Sequence, residues 1–242
     1  MGIVLAEMAR REAPLAASCD HRALFGQMYS ETTAAIDLGA RTGRFRYPST
    51  MRHFDAWFAW YYFATSDAWR AGQVARVPAA WRIAFTANAD RSVSGLGDLL
   101  LGMNAHISRD LPYVVAALVP KPQTAIDHDF AQITRIIEEI SDSALEKSAT
   151  RFDPAIRTAE IPILFGGRVP FGQLIALWRA ESWANGITLR DSTPADRSAV
   201  EQRIEATAAA RAAAIVAATS YVPLLESTDA RDAYCQSHRP GA

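Results

Sequence analysis

The chain has 242 residues, 50% hydrophobic and 21% charged, with a net charge of −1. That length can bury a sizeable core in one large domain or two small ones. The near-neutral balance gives no electrostatic capture of nucleic acid or of an anionic membrane surface. No window approaches the roughly 20 apolar residues of a membrane span, and the opening "MGIVLAEMARREAP" lacks the long apolar core of a secretory signal. The cysteines, Cys19 and Cys235, stand near opposite ends without metal spacing. Two free thiols and a cytoplasmic setting are therefore expected.

Residues 1–19 read as a separate N-terminal segment. Asp20 can cap a helix over 20–42, in which Leu24, Met28 and Ile36 recur near helical period. "YPSTMRHFDAWFAWYYFATSDAWRAG" follows, with Ser49 or Thr50 as N-cap after Pro48 and Gly72 as a stop. Pro78 opens "PAAWRIAFTANA". Ser92 or Ser94 caps the most apolar stretch, "SGLGDLLLGMNAHISRDLPYVVAAL". Beyond the loop "VPKPQTAID", the segment "DHDFAQITRIIEEISDSALEK" is helical. "FDPAIRTAEIPILFGGRVP" is broken by prolines and a glycine pair, with "IPILF" (161–165) as a short extended piece. Two further helices start near Pro170 and near Thr193–Pro194, and a polar, weakly anchored tail occupies 223–242. No sustained period-2 alternation appears. The fold class expected is all-α: a single compact domain of about seven or eight helices over 20–222.

The apolar helix at 94–118 contains an anomaly. On a 100° wheel Leu96, Leu100, Met103, Ile107, Leu111 and Val114 form one core-facing arc. Asn104 and Asp110 fall inside or at the edge of that arc, and His106 stands one turn before Asp110 on the same face. An unpaired buried carboxylate costs several kcal/mol, so a hydrogen-bond network, a metal or a wet pocket must compensate. Pro112 has no N–H for the Ser108 carbonyl, which loosens the helix one turn after His106. Asp55 has the same problem among Phe54, Trp57, Phe58, Trp60, Tyr61, Tyr62 and Phe63, a density of aromatics that suggests a lined pocket. "DHDF" supplies Asp127, His128 and Asp129 at a helix start, where acids favour the dipole. "LWRAESWAN" adds Arg179 and Trp183.

The sequence resembles a bacterial family of unknown function common in actinobacteria, through a G-M-N-A-H-I-x-x-D-L-P core at Gly102–Pro112. The segments around Asp55, "VPAAWRIAF", "DHDF" and "LWRAESWAN" support it, so most of 20–190 is covered. The resemblance implies a shared site around Asn104, His106 and Asp110. A weaker similarity goes to the zinc-dependent phospholipase C and P1-nuclease group, whose His-x-x-x-Asp ligand pair His106 and Asp110 match. The chain departs from that group in having five histidines and no second His-x-x-x-Glu.

Three readings follow. In the first, an acid–base enzyme acts on a small, largely apolar molecule. His106 shuttles a proton, Asp110 orients it, Asn104 holds a polar group and Asp55 is the second acid or base. Trp57, Tyr61, Tyr62, Arg179 and Trp183 would then bind the substrate. In the second, a single divalent metal sits on His106, Asp110, Asp55 and Asp129, with His128 as a further candidate. In the third, the same polar residues form a structural network in a non-catalytic binding or scaffold protein. A small molecule is the expected partner, with neither nucleic acid nor membrane.

Overall fold

The chain punctuates its own helices. Proline at an N-terminus costs no hydrogen bond, and Pro48 opens a helix at its first position while Pro78 and Pro170 precede two others. The computed structural model describes residues 2–157, 169–222 and 226–239. The α-helices are α1 (Gly2–Ala17), α2 (Ala23–Arg41), α3 (Pro48–Arg70), α4 (Ala79–Asp90), α5 (Gly95–Asn104), α6 (Leu111–Leu118), α7 (Thr124–Arg151), α8 (Phe171–Asp191), α9 (Arg197–Thr219) and α10 (Asp229–Ser237). A π-helical turn, Ala105–Asp110, joins α5 to α6 in one rod, giving nine helical rods in one domain among the described residues. No strand forms among the described residues, and no helix there is long and apolar enough to cross a membrane. The extended piece expected at 161–165 lies outside the described residues.

Two ends exceed the expectation. The N-terminal segment is helical, and α1 packs on α2 with Met8 fully buried. The tail carries α10, which is anchored because Cys235 is joined to Cys19. The free thiols expected from spacing are thus corrected: the fold brings residues 216 apart in sequence to a Cα separation of 5.9 Å, inside the range a bridge needs. Ser94, not Ser92, caps α5 by accepting from the Gly97 amide at 3.2 Å, while α3 starts without a side-chain cap.

The α5–α6 rod is the centre of the molecule. Every residue of α5 is buried, and α2, α3, α4, α8 and α9 surround the rod and its π turn. A wheel with one core face and one outer face therefore does not describe α5, the part of the rod that is enclosed all round. Its glycines are filled by neighbours. A Cβ on Gly102 would lie 2.5 Å from the Phe25 ring, and one on Gly97 2.3 Å from the Thr219 hydroxyl. Where α8 crosses α6, a Cβ on Gly186 would lie 2.4 Å from the Val115 Cβ, so the glycine sets the approach of the two helices.

Candidate functional site

The local backbone sets up the site. In the π turn the Leu111 amide bonds the carbonyl of His106, five residues back. In that register the next donor would be residue 112, which is proline and has none. The carbonyl it would have served, Ile107, accepts instead from the Ser182 hydroxyl of α8 at 2.7 Å. The loosening expected near Pro112 is thus a π turn spanning both His106 and Asp110, a device frequent at functional sites.

His106 is 2% exposed and held in a ring of aromatics. Phe58 stacks flat on it, 3.6 Å between centroids and 7° between planes, and Tyr29 meets it edge-on at 4.5 Å. Asp110 fixes its tautomer: a carboxylate only accepts, so Nδ1 is the protonated nitrogen and donates to Asp110 Oδ2 at 3.1 Å. Trp81 Nε1 donates to the same oxygen at 2.9 Å, and Arg109 Nη1 to Oδ1 at 3.1 Å. Nε2 is left with a lone pair and no partner among the described residues. Burial pushes the imidazole's pKa down, with Asp110 opposing, so the ring is a neutral base at physiological pH.

His106 lines a small cavity, about 30 Å³, together with Asp55 of α3, Arg179 of α8, and Tyr29 and Thr32 of α2. Phe54, Phe58, Met103 and isoleucines complete the wall. All of these residues are buried. Eight buried side-chain polar atoms lack a hydrogen bond among the described residues, and four belong to this lining: Tyr29 Oη, Asp55 Oδ2, His106 Nε2 and Arg179 Nη2. Buried polar atoms are normally satisfied, so their concentration around one hollow marks a place for water or ligand. Burial raises the Asp55 carboxyl to about 7, with Arg179 opposing. Burial lowers the Arg179 guanidinium to about 10, with Asp55 opposing. Tyr29 is held well above its ordinary value, chiefly by burial.

The residues singled out in the sequence divide. His106, Asp55 and Arg179 meet at the cavity, and Asp110 stands behind the imidazole. Asn104 does not line the cavity: its Nδ2 donates to the Ala208 carbonyl at 2.9 Å and ties the rod to α9. Trp57 is 41% exposed, Tyr61 lies against Tyr113 and Arg109, and Tyr62 stacks on Trp81, so none of the three walls this hollow. Trp183 lines a separate surface groove. Asp129 accepts from the Arg46 and Tyr47 amides and from His128, which fixes the turn into α3. Among the described residues no three His, Cys, Asp or Glu side chains are grouped to hold a metal ion. The expected ligand set is not brought together: the Asp110 oxygens are taken by His106, Trp81 and Arg109, and those of Asp129 by the Arg46 and Tyr47 amides. Tyr29 and Trp81 went unselected as site residues, though Trp81 belongs to the quoted "VPAAWRIAF".

A family model described as "Family of unknown function (DUF5995)" matches residues 2–218. No curated protein and no solved structure matches the chain.

Proposed function

We propose, for a chain that belongs to the DUF5995 family of unknown function, an enzyme that performs acid–base chemistry on a small, largely apolar molecule. Cyclisation, isomerisation or hydrolysis would each suit the residues, in the specialised metabolism of an actinobacterium. The observation that carries this reading is the set of unpaired atoms around one cavity, with the imidazole steadied from behind by Asp110. His106 Nε2 is the general base, and Asp110 stabilises the imidazolium that forms. Asp55, poised near neutrality, returns a proton on the other side. Arg179 binds a polar group of the substrate, and the Tyr29 hydroxyl stabilises negative charge that develops in the cavity. The disulfide supports an oxidising compartment over the reducing cytoplasm.

A non-catalytic binding role is favoured by one observation, the full burial of the lining around so small a hollow. Asp110→Asn separates the two. Wild type and the variant are incubated with a metabolite extract and turnover is followed by mass spectrometry. A compound consumed by wild type and spared by a folded Asp110→Asn protein, at a rate lower by about 100-fold or more, supports catalysis. Equal turnover per folded molecule, with a lowered Tm alone, overturns it.

A further inference from the structure

We infer that the cavity receives the carboxylate of a small organic acid, paired to Arg179, while the acid's apolar body rests in the groove lined by Phe130 and Trp183. The inference deepens the acid–base reading and rests on it for the chemistry, though not for the binding.

Arg179 is 3% exposed, and no carboxylate lies within ion-pair distance of it among the described residues. Its guanidinium sits 4.4 Å over the Phe130 ring, and Nε donates to the Thr134 hydroxyl at 3.0 Å. That leaves Nη2 of this cavity-lining side chain with no acceptor among the described residues. Asp55, on the same cavity, acts on it only from beyond ion-pair distance; a buried cation so weakly matched is expensive, and a guanidinium presents a planar fork that fits a carboxylate. The hollow, about 30 Å³, has room for a group of a few heavy atoms.

The body of the ligand has its own place. Phe130 and Thr134, the two residues that hold Arg179, also line an open groove of about 420 Å³ with three alanines and Trp183, and with Asp127 and Arg135 as its charged members. That volume is of the order of a small-molecule site. Arg179 and Phe130 therefore form the partition between groove and cavity, and Trp183, 4.3 Å from Phe130 between ring centroids, adds an aromatic wall. The inference places the acid's body in the groove and its carboxylate at Arg179, in the cavity that His106 and Asp55 also line.

Full-length protein is titrated calorimetrically with benzoate, phenylacetate and hexanoate, and with the corresponding neutral amides. The acids are expected to bind and the amides to bind on the order of 30-fold more weakly or not at all. Arg179→Met, which removes a buried charge and keeps the volume, abolishes the preference for acids. Acetate, which has no body to lie in the groove, is titrated as well: Trp183→Ala weakens phenylacetate and leaves acetate unaffected. Amides bound as tightly as acids, acids bound equally by Arg179→Met, or no acid bound at millimolar concentration each overturn the inference. Turnover by Asp110→Asn is a separate readout. Acid binding with unchanged Asp110→Asn turnover sinks the acid–base reading alone, and lost turnover without acid binding sinks this one alone.

Discussion

Asp55 has a cost that can be measured without knowing a substrate. Its carboxyl rises from an ordinary 3.8 to about 7 because burial removes water from the charged form. The folded state then holds a proton that the unfolded state has released between those values. Stability from this group is complete below pH 3.8 and is lost as pH rises through about 7. The full difference is worth roughly 4 kcal/mol as an upper bound. Asp55→Asn never ionises. Its Tm should exceed that of wild type at pH 8, and the gap should close by pH 4. Equal melting curves at pH 8 would show that the carboxylate is compensated and not strained. Such a gain on losing a polar group is what a functional site predicts. Asp55 was legible in the sequence because a carboxylate inside seven aromatics has no solvent-facing explanation. Tyr29 was not, since a tyrosine on a buried helical face looks like packing until its hydroxyl is seen without a partner.

At the scale of elements, the site depends on how α8 serves the π turn. Ser182 supplies to the Ile107 carbonyl the bond that Pro112 cannot. Ser182→Ala would leave that carbonyl buried and unsatisfied, which costs about 1–3 kcal/mol. The Tm should fall accordingly, and the ring resonances of His106, on the same turn, should shift in NMR spectra. An unchanged Tm and unchanged His106 signals would mean that the carbonyl finds another donor. This coupling explains what could be read at element level and what could not. Helix content, the order of the rods and the weak point near Pro112 follow from periodicity and proline chemistry. The angular position of Asn104 does not, because α5 is enclosed on every side and Asn104 faces the Ala208 carbonyl of α9. A wheel assumes one buried face, and a fully enclosed helix has none to distinguish. In the same way, Asp129 looked like a cap for its own helix, whereas its carboxylate reaches the amides of Arg46 and Tyr47, more than eighty residues earlier in the chain.

For the whole molecule, the decisive contact joins the two ends. The family match stops at residue 218, so α10 lies beyond it, yet α10 is fastened to the body twice. One fastening is the Cys19–Cys235 bridge. The other is polar and buried. His21 lies 2.9 Å from Asp98 and 3.0 Å from Asp232, and Arg231 of α10 reaches both His21 and Asp98. Arg151 adds a bond to the Cys235 carbonyl at 3.1 Å. Cysteine spacing could not reveal the first fastening, because proximity of residues 216 apart is a property of the folded chain alone. A bridge closing so long a loop restricts the unfolded chain strongly, and its removal is expected to cost about 2–5 kcal/mol. Cys235→Ser should therefore melt well below wild type, and reductant should lower wild type to nearly the same Tm. Helix content at 25 °C should barely change, since the His21–Asp98–Arg231 cluster still holds α10 in place. The double change Cys235→Ser with Arg231→Ala removes the bridge and the buried Arg231 contacts, leaving Asp232 on His21 and Arg91, and α10 should then become more sensitive to protease than in either single variant while the rest of the chain resists. Two reactive thiols in the native protein, or a Tm indifferent to reductant, would show instead that the ion-paired cluster alone docks the C-terminal helix.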